Sequence, residues 1–343
     1  MPSALDRLAY AASQGLRRSW FYGHYLLAAA AERRDGVPAP RRRLPGRDRL
    51  RADLEALFER DWAAIAAGLY ATPHDLWTDP RRALAASRAF LADLASVSAR
   101  RRRGDHQEVA RDPAFAHLPR YYRQNFHYQT DGWLSERSAR LYDFQVEVLF
   151  SGGADAMRRG ALIPIGEALA RAGPAAGLLD IGCGTGRFLT FVKDNWPRLA
   201  VLGVDLSPAY LAAARRNLRP WRSAAFAQAA AERLPLRDAA VDVATCVYLL
   251  HELPPGVRRR VAAEAARVLR PGGRLVVVDS LQHGDRPDYD ALLDRFPDAF
   301  HEPYFASWLA ADLPAIFAAA GLVARAVELR FLTKIAVFDR PAA

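Results

Sequence analysis

Lysine is almost missing from this 343-residue chain: Lys193 and Lys334 are its only two, although lysine and arginine together number 48. The basic set is therefore nearly all arginine, in a chain also crowded with alanine. That pairing is what a GC-rich genome produces without selection for a ligand. Cysteine is scarce too. Cys183 and Cys246 cannot build a disulfide framework or a cysteine zinc site, and they suit a reducing compartment. No run of about 18 apolar residues occurs, which argues against a transmembrane helix. The longest candidate, Trp20 to Ala31, contains His24 and is flanked by Arg17-Arg18 and Arg33-Arg34. An amphipathic helix packing on the domain is the expectation there, with an interfacial helix on an anionic membrane as the alternative. Asp6 and the missing cleavage pattern argue against a secretory signal, so a cytoplasmic protein is expected, with membrane association as a variant.

What is present supports a sizeable core: 51% of residues are hydrophobic and 25% charged. This excludes wholesale disorder and coiled-coil or collagen architectures. The net charge of +10 is uneven. Residues 1–50 carry ten basic and four acidic groups, residues 51–150 carry fourteen of each, and the remainder carries twenty-four and twenty. The excess is mostly N-terminal and raises nucleic acid or an anionic membrane as partners.

Residues 36–49, rich in Pro, Gly and Arg, read as an exposed linker. Helical patterns follow at Leu50 to Tyr70 and Pro80 to Ser98. The run Arg100 to Arg103 reads as a solvated loop. Residues 1–118 thus form a helical N-terminal region with arginine-rich linkers. Residues 119–160 are dense in Tyr, Phe, Trp and His, and residues 161–343 change texture altogether. Short β-rich runs there alternate with helical ones, the sign of βαβ units and a mainly parallel sheet. Strands are expected at Gly177–Ile181, Ala200–Val204, Ala224–Gln228, Val241–Cys246 and Arg274–Asp279, with helices near Arg187–Asn195, Pro208–Asn217, Pro255–Leu269 and Phe305–Ala320. Leu322–Leu329 and Leu332–Phe338 read as a closing strand pair.

The first of these strands ends in LLDIGCGTGRF, with Gly182, Gly184 and Gly186 directly before a helix. Glycine lets the backbone take positive φ and approach a ligand without a Cβ in the way. A glycine triplet alone also fits dinucleotide sites. Asp180, two residues earlier, would repel a pyrophosphate but attract the cationic end of an amino-acid-like ligand. The next strand ends in GVDLSP, where Asp205 can accept from both hydroxyls of a ribose. Ser207 and Pro208 then make a helix cap and a first helical residue.

With AAAERLPLRDAAVDVATC at Ala229 to Cys246 and RVLRPGGRLVVVDS at Arg267 to Ser280, the stretch from Leu178 to Ser280 resembles the class I S-adenosylmethionine-dependent methyltransferases. It is most similar to the small-molecule branch that includes ubiquinone/menaquinone C-methyltransferases. The resemblance implies an α/β fold: a Rossmann-like core with a seven-stranded, mainly parallel sheet and an antiparallel last strand, preceded by the helical N-terminal region. It implies S-adenosyl-L-methionine as cofactor, with Gly182, Cys183, Gly184 and Gly186 against its methionine part and Asp180 near its amino group. Asp205 and Leu206 would hold the ribose, Ala231 and Glu232 would flank the adenine, and Tyr142 and Tyr248 would complete the pocket. One departure stands out. The acid that usually precedes Ala-Glu in the third-strand motif is replaced by Ala230.

Methyl transfer from a sulfonium requires alignment of the acceptor and exclusion of water, and a base only if the acceptor must lose a proton. After the fourth strand, CVYLLHELPPG places Tyr248, Leu249, His251 and Glu252 near the pocket. His251 is the first candidate for a base, with a packed structural histidine as the competing reading. Glu252 reads as a helix N-terminal charge. Tyr121, Tyr122, His127, Tyr128 and Trp133 are expected to form a lid and acceptor pocket, with Tyr128 acting on the acceptor; the alternative is an aromatic wrap that only packs. His283, His301, Glu302 and Tyr304 are secondary candidates. No tight metal-ligand spacing appears, so no metal is expected. A small apolar or aromatic acceptor, methylated at oxygen or carbon, fits the aromatic segment. An RNA or DNA methyltransferase is the alternative, and so is a non-catalytic cofactor-binding subunit.

Overall fold

A computed structural model describes residues 2–38 and 42–342. Thirteen α-helices and seven strands are assigned among them. The N-terminal region is helical: α1 (Ala4–Arg34), α2 (Arg47–Ala66), α3 (Pro80–Arg103) and the short α4 (Glu108–Arg111). α1 begins on a capping box in which Ser3 accepts from the Asp6 amide and Asp6 accepts from the Ser3 amide. On its inner face His24 bonds the Trp20 carbonyl at 2.8 Å and the Ser87 hydroxyl at 2.7 Å, edge-on to Phe90 and Phe144. The linker expected at 36–49 falls partly outside the described residues and ends early, since α2 starts at Arg47.

The tetra-arginine run corrects the expectation of a solvated loop. Arg100 to Arg103 form the last turn of α3, closed by Gly104 in the left-handed conformation. Cations suit that end of a helix dipole. Two carboxylates also hold the run: Arg100 pairs with Glu108 at 2.9 Å, while Arg101 and Arg102 each reach Asp35 at 3.1 Å.

α5 (Glu136–Leu149), α6 (Ala154–Arg159) and α7 (Leu162–Ala172) lead into the sheet. Buried ion pairs tie them to the N-terminal helices. Asp155 is shared by Arg17 of α1, Arg158 and Arg187, at 3.0, 3.1 and 2.6 Å. Asp61 of α2 binds Arg159 and accepts from the hydroxyls of Tyr10 and Tyr70.

The sheet contains β1 (Gly177–Ile181), β2 (Ala200–Asp205), β3 (Ala224–Gln228), β4 (Val241–Val247), β5 (Leu269–Ser280), β6 (Val323–Arg330) and β7 (Thr333–Asp339). Their order is β3-β2-β1-β4-β5-β7-β6. The first five strands run parallel, and β7 is antiparallel to both β5 and β6. α8 (Arg187–Asn195), α9 (Pro208–Asn217), α10 (Pro255–Val268), α11 (Asp290–Ala299), α12 (Phe305–Leu309) and α13 (Leu313–Ala318) complete the chain. Alternate residues of the central strands feed two cores. Leu178, Val243 and Val276 face one layer, while Leu179, Ile181, Ala244 and Val277 face the other. The helix expected over Phe305–Ala320 is two helices, because the Asp312 side chain caps a new start at Leu313 by accepting from the Ala315 amide and Pro314 cannot continue the old one. Strand order reverses between β1 and β4, which opens a crevice at their carboxyl ends.

Candidate active site

The crevice holds a cavity of about 680 Å3, part of it open to solvent. Its floor is the turn after β1. Gly182 and Gly184 sit at φ 71° and 54°, in the left-handed region. A Cβ on Gly182 would meet Leu249 at 2.8 Å, so this turn needs glycine for close approach as well as for conformation. Gly186 serves packing instead. It starts α8 against Leu218 and Ala214 of the neighbouring helix and does not line the cavity. Cys183 is buried beneath the turn, where a Cβ on Gly203 would collide with its sulfur.

Asp205, at the end of β2, lines the cavity and is fixed by amides of its own fold: Gly184 N–H donates at 2.9 Å and Ser207 N–H at 2.8 Å. Burial pushes its pKa up, and these amides counter the shift. Asp180 lies behind the glycine turn, 1% exposed. Thr245 donates to one of its carboxylate oxygens at 2.7 Å, and the other oxygen has no partner. Burial pushes its pKa up to about 7, against the Thr245 bond and with a small contribution from Asp205.

Leu206, Ala229 and Ala231 form the wall beyond Asp205, where an adenine ring would lie. Glu232 faces away, accepting from the Tyr121 hydroxyl at 2.7 and 2.9 Å. The acid missing at Ala230 is therefore not replaced from Glu232 within the cavity. On the other wall, Tyr248 takes φ 53°, bonds Thr333 at 2.7 Å and stacks on Phe150.

The aromatic segment covers the opening in part. Tyr121, Tyr122, Trp133 and Tyr142 line it, and Trp133 meets Tyr142 edge-on at 5.3 Å. Thr185 of the glycine turn donates to Asp143 at 2.9 Å, which latches α5 onto the loop. The other two residues expected in the lid lie elsewhere. Tyr128 is outside the cavity, its ring under the Arg101 guanidinium and beside His301. His127 turns its Nε2 to Glu302 at 2.5 Å.

His251 does not line the cavity, although its chain neighbour Glu252 does. Asp279, at the end of β5, holds His251 Nδ1 at 2.6 Å and also accepts from the Leu250 amide at 2.9 Å. Burial acts to lower the imidazole's pKa, but Asp279, Glu302 and Glu252 together raise it to about 9. Burial and the neighbouring Glu302 push the Glu252 pKa up. Of the secondary candidates, His283 pairs with Asp294 and His301 with Gln124, both apart from the cavity. Reasoning from sequence did not connect Glu302 with His251, because nothing in their spacing signals that they meet.

An S-adenosylmethionine molecule fits these groups: a carboxylate at the ribose position, a glycine cradle and a buried carboxylate oxygen at Asp180 that lacks a partner. The comparisons point the same way. Residues 178–273 match the family model described as a methyltransferase domain. The ubiquinone/menaquinone biosynthesis C-methyltransferase of Syntrophotalea carbinolica is 38% identical over 151 residues, covering 43% of this chain and 60% of that protein. The demethylmenaquinone methyltransferase of Deinococcus radiodurans is 34% identical over 142 residues, 41% of this chain and 56% of its own. A malonyl-(acyl-carrier protein) O-methyltransferase of Xylella fastidiosa is 35% identical over 102 residues, 29% of this chain and 33% of its own. The chain spans less than two thirds of the length of each of these relatives.

Proposed function

We propose that this chain, whose core is that of a class I S-adenosylmethionine-dependent methyltransferase, transfers a methyl group to oxygen or carbon of a small apolar or aromatic metabolite. The observation that carries this reading is the pairing of Asp205 and the Gly182–Gly184 turn with an aromatic wall, all lining one cavity at the β1/β4 switch point. The relative named for ubiquinone/menaquinone biosynthesis supports a carbon acceptor of that kind, and the one named for O-methylation of malonyl-(acyl-carrier protein) supports an oxygen acceptor.

When bound, the cofactor supplies a methyl group already activated on sulfur. Everything else falls to the chain. Asp205 accepts from the ribose hydroxyls, and its own amide bonds keep it from rotating away. Ionised Asp180 attracts the ammonium, while Ala229 and Ala231 border the adenine with backbone and methyl groups only. Tyr121, Tyr122, Trp133 and Tyr142 exclude water and present flat apolar surface to the acceptor, which holds the reacting atoms at near-attack distance. Neither of the two side chains expected to act on the acceptor, His251 and Tyr128, lines the cavity; His251 is the chain neighbour of Glu252, which does.

Residues 1–50 supply a proposed second contact, with an anionic membrane that holds a lipophilic acceptor. No helix among the described residues is long and apolar enough to cross a membrane. α1 does expose Leu5, Leu8, Leu16 and Leu27, and it ends on exposed Arg33 and Arg34.

Two measurements test the reading. Calorimetric titration with S-adenosylhomocysteine should show one site, and a protein that does not bind it overturns the proposal. Incubation with methyl-labelled cofactor and extracts of phenols, quinols and polyketides should label a small product. Label appearing in RNA instead would favour the nucleic-acid alternative.

A further inference from the structure

Beside the cavity, three side chains from two distant parts of the chain bring their donor atoms within 4.8 Å of one another: His251, Glu252 and Glu302. His251 and Glu252 stand in the turn after β4, and Glu302 precedes α12. Glu302 is 3% exposed, and neither of its carboxylate oxygens has a hydrogen-bond partner. Leaving such a group buried and unpaired is strongly unfavourable unless something compensates it. Among the described residues no arginine or lysine forms an ion pair with Glu302 or Glu252; each meets only a histidine. The Arg258 guanidinium, nearby, is committed to the carbonyls of Leu250, Tyr304 and Ser307 and the Ser307 hydroxyl.

The second structural fact is orientation. Asp279 grips His251 Nδ1 at 2.6 Å and is itself fixed by the amides of Leu250 and Ser280 at 2.9 and 2.8 Å. With Nδ1 engaged by Asp279, Nε2 is the ring nitrogen left to face the glutamates, 3.9 Å from Glu252. A carboxylate behind an imidazole is the usual support of a metal-binding histidine. A second imidazole meets Glu302 from another segment of the chain. His127 reaches Glu302 with Nε2 at 2.5 Å but outside hydrogen-bonding geometry, and its backbone is held at φ 55°. The rings of Phe296, Phe300 and Trp133 surround it.

We propose that His251, Glu252 and Glu302 form a binding site for one divalent transition-metal ion beside the cavity. Imidazole with carboxylate selects zinc, manganese, iron or cobalt over magnesium and calcium. Because Glu252 also lines the cavity, an open coordination position there would hold an oxygen of the acceptor. That last step rests on the methyltransferase reading; the existence of the site does not.

Chelator-stripped full-length protein, titrated with Co2+, should take up one equivalent and develop visible ligand-field absorption. Zn2+ should abolish that absorption by displacement, and either ion should raise the melting temperature. Glu302→Gln should weaken Co2+ binding by more than about tenfold, and Asp279→Asn by about 10- to 100-fold, the usual range for a supporting residue. S-adenosylhomocysteine affinity is measured in parallel. Absence of a Co2+ spectrum from protein that binds S-adenosylhomocysteine overturns the metal site alone. A Co2+ spectrum without S-adenosylhomocysteine binding overturns the methyltransferase reading alone. Since the wild-type spectrum needs no variant, a misfolded Glu302→Gln protein leaves the test decisive. Equal Co2+ affinity in a folded Glu302→Gln protein also overturns the site.

Discussion

Asp180 shows how a single buried carboxyl couples pH to both binding and stability. With its pKa pushed up to about 7, it is protonated in the free protein below neutrality and cannot attract an ammonium ion. S-adenosylhomocysteine affinity should therefore fall by up to about tenfold per pH unit below 7 and level off above it. Calorimetry across pH 5.5 to 8.5 checks this, and a flat profile would sink it. The folding consequence has the opposite sense. The folded pKa lies above the ordinary aspartate value, so the group's stabilising contribution is present at acid pH and disappears as pH rises from about 4 to about 7. Asp180→Asn should accordingly melt higher than wild type at pH 8 while binding the ligand more weakly. Asp205 behaves differently, since amides of Gly184 and Ser207 hold it in place. Asp205→Ala should lower ligand affinity by about 10- to 100-fold, as loss of hydrogen bonds to a charged group does, and should also lower the melting temperature, because the amides of Gly184 and Ser207 lose their acceptor.

At the level of elements, buried ion pairs fasten the N-terminal helices to the segment before the sheet. Asp61→Ala leaves Arg159 charged and unpaired in the interior, along with two tyrosine hydroxyls that have lost their acceptor. Denaturant unfolding should show a loss of about 3–5 kcal/mol. Asp61→Leu combined with Arg159→Met should recover part of it, because Tyr10 and Tyr70 would still lack an acceptor. Such pairs were not legible in the sequence, where Asp61 and Arg159 are ordinary charged residues 98 positions apart. The sheet was legible for the opposite reason. β1 and β3 occupy the residues their apolar runs predict, and the glycine turn and Asp205 stand at strand ends where local chemistry marks them. The break between α12 and α13 also carried a local signal, Asp312 followed by Pro314, that a continuous apolar pattern masked. The meeting of Glu302 with His251 and His127 had no such signal, since only the packing of three separate segments creates it.

Across the whole molecule, the charge that first suggested an anionic partner is partly spent indoors. Arg17, Arg100, Arg101, Arg158, Arg159 and Arg187 all keep most of their side chains from solvent and are paired with acids. What remains for a membrane is the outer face of α1. The protein should sediment with vesicles containing anionic phospholipid and not with purely zwitterionic ones, and added salt should weaken the contact. Leu8→Glu with Leu16→Glu should reduce the bound fraction several-fold without affecting S-adenosylhomocysteine binding. Equal sedimentation of the double variant would remove the membrane from the proposal.

Asp155 has one further consequence, for the engineering of the chain. Its carboxylate simultaneously grips Arg17 near the beginning, Arg158 beside it and Arg187 at the start of the helix that follows the glycine turn. Removing residues 1–46 would strip one of three cations from that knot and uncover the face of α5 on which Phe144 and Val148 pack against Phe21. The sheet region and the N-terminal helices are therefore tied through one buried carboxylate. Grafting the sheet region elsewhere would need to carry Arg17, Asp155 and Arg187 together.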